Sequence, residues 1–177
     1  PEETIPHIGD LVFTSTHPSF DTKALLSKDI SSRTFSIYYP EGRPNDPQKK
    51  YAIVSSTNAN WDDWNDLDDE QYAKEKDLMI KDTITSLKNF IPDIEDKIDF
   101  LDAATPRTVK KFTHHDKGSS FGTKFEGLEV SMGLHSQIAG MFHAGSVGII
   151  MSGWLGAANY GVIQANEIDS YLYNLEK

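Results

Sequence analysis

In the last quarter of the chain, Met141, Phe142, His143, Ala144, Gly145 and Ser146 are followed by Gly153, Trp154, Leu155, Gly156, Ala157 and Ala158, and then by an amphipathic tail. The pattern predicts a short buried strand over residues 141–144, a tight glycine-bearing loop, and a helix whose first turn carries little side chain. A helix start of this kind presents unpaired backbone N–H groups and about half a positive charge, so a phosphate or the electron-rich edge of a flavin pyrimidine ring is its natural occupant. Gly145, Ser146, Gly153, Trp154, Leu155, Gly156 and Ala157 line this turn and helix start and are the candidate residues for such a cofactor contact. The structural alternative is that the glycines serve only the backbone conformation of a tight strand-to-helix turn and that Trp154 packs in a core.

Two other clusters carry chemistry-bearing side chains. His114, His115 and Asp116 combine an imidazole that titrates near neutrality with a carboxylate able to tune it. Neighbours in sequence point apart, however, and no second histidine or carboxylate follows at helical spacing, so no metal site is expected there. Asp62, Asp63, Asp66, Asp68 and Asp69 alternate with Trp61, Trp64 and Leu67. They lack the ligand alternation, turn glycine and terminal glutamate of a calcium loop. The segment reads as a solvated connection ending in a helix N-cap at Asp68 or Asp69. No side chain is singled out as catalytic.

The 177 residues are 38% hydrophobic and 25% charged, enough for one domain or one piece of a larger one. Seventeen basic against twenty-seven acidic side chains give a formal charge of −10, which argues against a nucleic-acid partner. The absence of cysteine excludes disulfides, thiolate metal sites and thiol nucleophiles, and fits a cytoplasmic compartment. No apolar run approaches the roughly 18 residues of a membrane span. A chain that starts at Pro1 without an initiator methionine, just before a strand-like run, reads as part of a longer polypeptide.

The elements that must position these residues are visible in the periodicity. Residues 10–16, 32–39 and 50–56 are strand-like, with Arg33, Phe35, Ile37 and Tyr39 on one face of the second run. Ala24, Leu25 and Leu26 can add a helical turn between the first two. The proline- and glycine-rich loop holding Pro40, Gly42, Pro44 and Pro47 predicts that the second and third strands pair as an antiparallel hairpin. Ile80, Ile84, Leu87 and Ile91 line one face of a long helix over residues 72–91, stopped by Pro92. Ile98, Phe100 and Leu101 suggest a short strand, and Thr105 and Pro106 open a brief helix over residues 106–112. Residues 128–140 lack strong periodicity. Leu155, Ala158, Val162, Ala165, Ile168 and Leu172 share a face of the closing helix. The expected class is α+β.

Thr105-Pro106, the loop Gly118-Ser119-Ser120-Phe121-Gly122, the run Gly140 to Gly145 and the Ser152-Gly153 turn before the closing helix come in a familiar order and spacing. On these residues the chain resembles the C-terminal part of phytoene desaturase-like FAD-dependent oxidoreductases. That group includes carotenoid desaturases, carotenoid isomerases and retinol saturase-like enzymes. The likeness extends over residues 10–172 and is specific from Ala104 onward.

The resemblance implies a substrate-domain antiparallel sheet and long helix over residues 1–104 and a connecting helix and glycine loop over 105–140. Residues 141–177 would be the C-terminal strand and helix of a discontinuous α/β flavin domain, its dinucleotide-binding segment being absent from this chain. It implies FAD as cofactor, held in the full-length parent and not tightly by this chain alone. The closing helix would point its N-terminus at the flavin ring, with Phe121 and Gly122 where a substrate channel meets it. The substrate would be an apolar polyene or isoprenoid-like small molecule, and the other partner the remainder of the flavin domain. Localisation would be cytoplasmic, with peripheral membrane contact as a route for substrate access. Ser146 stands where the family commonly has an acidic residue, the usual glycine-rich loop is replaced by residues 147–156, and no Gly-x-Gly-x-x-Gly is present. A non-catalytic acidic binding module with a structural glycine turn is the alternative reading.

Overall fold

In the computed structural model, which describes residues 4–19, 21–25, 32–42, 45, 50–120, 126–147 and 152–177, the alternating run around Phe35 is the middle strand of a three-stranded antiparallel sheet. Its strands are β1 (Leu11–Ser15), β2 (Ser32–Tyr38) and β3 (Ala52–Ser56), in the order β1-β2-β3. The register places Val12 opposite Phe35 and Thr14 opposite Arg33, with Ile37 opposite Ile53 across the expected hairpin. A period of two sends Phe35 and Ile37 to one face, where both are buried. A single turn, α1 (Thr22–Leu25), lies between β1 and β2 in sequence.

The face that carries Phe35 needs an apolar cover, and the long helix α3 (Asp69–Lys88) supplies it. Phe35, Ile37 and Tyr39 join Leu87, Ile91, Ile94 and Ile5 in one cluster, with Ile84 and Val12 packed at its edge. Asp68 caps the helix by accepting a 2.8 Å hydrogen bond from the Gln71 N–H, as the sequence predicts. The acidic stretch before it is more ordered than a solvated connection. It holds the one-turn α2 (Asp62–Asn65) with Trp64 buried, because the Trp64 ring packs edge-on against Tyr72 at 5.9 Å.

Thr105 and Thr108 bond reciprocally, each backbone N–H donating to the other's hydroxyl at 3.2 and 3.4 Å. This capping-box arrangement, with threonine in the glutamate position, starts α4 (Pro106–Thr113). Tyr72 adds its hydroxyl to Thr105 at 2.9 Å, and Arg107 lies over the Tyr72 ring at 4.4 Å. The strand expected around Ile98 does not form. Residues 98–101 are irregular and Phe100 is 84% exposed, so they lack the neighbouring strand that pairing requires.

The chain divides into two compact units, Pro1–Thr108 and Val109–Lys177. The second contains the helices α5 (Glu126–Met132), α6 (Leu134–Gln137) and α7 (Gly153–Leu175). Two short helices thus occupy most of the stretch expected to be a mere connection. Among the described residues no helix is long and apolar enough to cross a membrane.

Candidate functional site

The candidate site lies in the second unit, where the 23-residue α7 is met by the chain that precedes it. Gly140 sits beside the far half of this helix, its pro-side-chain direction 3.6 Å from the Tyr171 hydroxyl. The Phe142 ring packs edge-on against Tyr171 at 5.5 Å and stacks on His135 at 5.2 Å. His143 then faces Tyr160 at 6.4 Å between ring centroids. Residues 140–143 therefore run back along α7 toward its N-terminus, and Val147, fully buried, anchors the far end of the segment.

The expected strand over residues 141–144 is absent. The segment is irregular apart from an isolated bridge at Val147, because no neighbouring ladder among the described residues is there to pair with it. The order segment, turn, helix is kept without the sheet. Gly145 has φ +125° and Gly153 φ +68°, and a Cβ built at either would meet nothing within 4 Å. The left-handed backbone favours glycine at both places. Ser152 is extended at the N-cap and makes no capping hydrogen bond through its side chain.

Of the seven candidate cofactor-binding residues, Gly145, Ser146, Gly156 and Ala157 are half-buried and Gly153 is exposed. Trp154 is 96% and Leu155 86% exposed, so Trp154 does not pack in a core. The first turn of α7 is open, with bare backbone on one side and two large apolar side chains on the other. Phe121 and Gly122 lie outside the described residues.

The packed face of α7 differs from the aliphatic one expected. Tyr160 and Gln164 are its buried residues, while Leu155, Val162 and Leu172 are exposed. Tyr160 donates its hydroxyl hydrogen to Ser131 Oγ at 2.8 Å, and Ser131 Oγ lies 2.5 Å from His143 Nδ1. The serine oxygen accepts from the tyrosine and keeps one hydrogen and one lone pair, so it pairs with either tautomer of His143, donating to Nδ1 or accepting from it. The result is a relay from a fully buried phenol through a buried hydroxyl to an exposed imidazole. One turn beyond Tyr160, Gln164 is 2% exposed and its Oε1 has no hydrogen-bond partner among the described residues. An aliphatic period does not mark these residues. The available signal was Tyr160 and Gln164 at i, i+4 beside the small Gly156, Ala157 and Gly161.

The histidine cluster spreads apart. His114 is exposed at φ +59°, and His115 turns back, its Nδ1–H donating to the Ser119 carbonyl at 2.8 Å. Among the described residues no group of three His, Cys, Asp or Glu side chains is placed to hold a metal ion. Compared with family models, curated proteins and solved structures, the chain finds no match.

Proposed function

We propose that this chain is the C-terminal part of an FAD-dependent oxidoreductase acting on an apolar polyene or isoprenoid-like substrate by desaturation, saturation or isomerisation. The observation that carries the reading is the bare backbone framing the start of α7. Left-handed Gly153 opens a helix whose first turn is exposed, and among the described residues nothing lies within 4 Å of where its side chain or that of left-handed Gly145 would be. That surface fits a flat, electron-rich ring edge, since backbone donors and a helix dipole stabilise negative charge there.

In this reading the N–H groups around Gly153, Trp154, Leu155, Gly156 and Ala157 hold the pyrimidine edge, and Ser146 offers a neutral hydrogen bond to the ribityl chain. A bound flavin supplies the hydride chemistry. Trp154 and Leu155 give the apolar shielding that keeps water from the reacting face. The exposed stripe of Val162 and Leu172 is the surface on which the remaining flavin-domain sheet packs. The setting is cytoplasmic, with peripheral membrane contact for uptake of an apolar substrate.

The test uses the full-length parent polypeptide. Purified protein should show flavin absorbance and release FAD on denaturation, and Gly156→Glu should cost flavin retention while leaving the circular dichroism spectrum largely intact. A folded parent that is colourless and cannot be reconstituted with FAD would overturn the reading and leave an acidic binding module in its place. Unchanged flavin retention in Gly156→Glu would remove α7 from the site.

A further inference from the structure

The sheet of the first unit has one covered face and one open face. Alternation sends Leu11, Phe13, Tyr38 and Val54 to the side away from the Phe35 core. Phe13 is 72% exposed there and the other three are about half exposed. The register sets these side chains beside small ones. Leu11 and Val54 flank Ser36 in one row, and Phe13 stands opposite Thr34 in the next. The large side chains of β1 therefore form a ridge along a hollow floored by β2. Every remaining outward position of the three strands is serine or alanine.

Charge sets this face apart. Among the residues of the three strands only Arg33 is charged, and it belongs to the covered face, where it is buried. The helix α3, on that covered side, mixes acidic and basic residues along its whole length. An open, partly apolar sheet face without a charged side chain lacks the device by which solvent-facing sheets keep other chains away. The same feature selects the partner. Each chain carries a formal charge of −10, so two copies repel wherever charged surfaces meet and approach at least cost where the facing surfaces are neutral. A two-fold pairing sets the face against itself, ridge beside hollow, and needs no complementary charge.

We propose that the open face of the sheet is a self-association surface, on which two copies of this chain pack face to face across a two-fold axis. Size sets the strength of the pairing. A patch three strands wide and about five residues long measures about 14 by 17 Å. Two such patches bury on the order of 800 Å² in total, short of the roughly 1,200 Å² of a stable complex. The dimer is therefore weak, with a dissociation constant on the order of 100 µM. At the few-micromolar concentrations of a folding measurement the chain is a monomer. The surface lies wholly within the first unit and does not depend on the flavin reading.

The experiment is sedimentation equilibrium of the intact 177-residue chain from about 5 µM to about 1 mM. The weight-average mass should climb from 19.8 kDa toward twice that value. Added salt should tighten the dimer, because screening weakens the repulsion between two acidic copies. Phe13→Glu on β1 and Val54→Glu on β3 each set a carboxylate against the facing copy and should weaken pairing at least about tenfold. Circular dichroism should be unchanged in both, since both side chains are exposed in the single chain. Should a glutamate variant fail to fold, Phe13→Ser removes the ridge without adding charge and should weaken pairing about threefold to tenfold. A mass that stays at 19.8 kDa at every concentration overturns the proposal and leaves the face to a partner of another kind. A mass that grows past a dimer, or a dimer unmoved by the variants, overturns it as well. Loss of pairing in only one of the two glutamate variants places the contact on a single strand edge and overturns the face-to-face arrangement.

Discussion

Ser131 Oγ lies 2.5 Å from His143 Nδ1, and this contact joins α5 to the irregular segment that runs back along α7. Ser131 is also the acceptor for the Tyr160 hydroxyl at 2.8 Å. A single serine hydroxyl therefore satisfies two neighbours at once. Ser131→Ala should cost about 1–3 kcal/mol, because it strands both a buried phenol and an imidazole nitrogen, whereas Tyr160→Phe removes only one donor and should cost about 0.5–1.5 kcal/mol. Urea denaturation of the two variants checks the order. Nitrogen chemical shifts of the His143 ring should report one dominant tautomer in the parent chain and lose that bias in Ser131→Ala. Equal costs for the two variants would show that the hydroxyl does not serve both partners.

The sheet core is the part most legible in the sequence, and mutations should divide along its period of two. Phe35 is fully buried and Ile91 fully buried beneath it, so Phe35→Ala should destabilise by about 3–5 kcal/mol and Ile91→Ala by about 2–5 kcal/mol. Phe13 sits opposite Thr34 on the other face of the sheet and is 72% exposed. Its alanine variant should change stability by no more than about 0.5 kcal/mol. Denaturant midpoints measured side by side would refute this division if Phe13→Ala cost as much as Phe35→Ala.

What the sequence could say, and where it fell silent, follows from this contrast. Alternation in β2, the Asp68 cap and the Thr105-Pro106 helix start are local signals, each written within a few residues and each found in place. The extended runs at 98–101 and 141–144 carry strand-like composition too, but a strand needs a neighbour, and pairing is a non-local fact. The packed face of α7 escapes the sequence for a similar reason. An aliphatic stripe predicts burial only if something covers it, while Tyr160 is buried because Ser131 and His143 meet it from elsewhere in the chain.

Acid should loosen the first unit through three lysine–carboxylate pairs. Asp93, Asp99 and Asp102 are each held below the ordinary aspartate range by a hydrogen bond from Lys97, Lys50 and Lys76 respectively. A depressed folded-state pKa means the unfolded chain binds protons first as pH falls. The stabilisation is therefore present above an unfolded aspartate value of about 3.9 and is lost as pH drops through the lower folded values. Lys76 shows the opposite sign: its pKa is raised, chiefly by the hydrogen bond to Asp102. Its contribution is present below the unfolded lysine value and is lost as pH rises through the folded one. Denaturant midpoints followed from neutral pH into the acid range should fall less steeply in Asp102→Asn than in the parent. High salt should shrink the difference, since these pairs lie at the surface. Identical acid slopes in the two proteins would show the Lys76 pair to be without effect.

Two glycines in α7 should respond oppositely to the same substitution, although space is open at both. A Cβ built on Gly153 or on Gly161 meets nothing within 4 Å, so sterics alone predict no difference. Gly153 has φ +68° at the start of the helix, a conformation that costs an L-residue about 1–2 kcal/mol. Gly161 lies in the helix interior, where alanine is better than glycine by roughly 0.5–1 kcal/mol through lost freedom of the unfolded chain. Gly153→Ala should therefore lower the midpoint of the helical circular dichroism transition and Gly161→Ala raise it. The contrast bears on the proposed site as well as on stability. If Gly153→Ala were neutral, the left-handed turn that opens the α7 N-terminus would not be a feature the backbone needs glycine to hold, and the bare approach beside it would lose its structural basis.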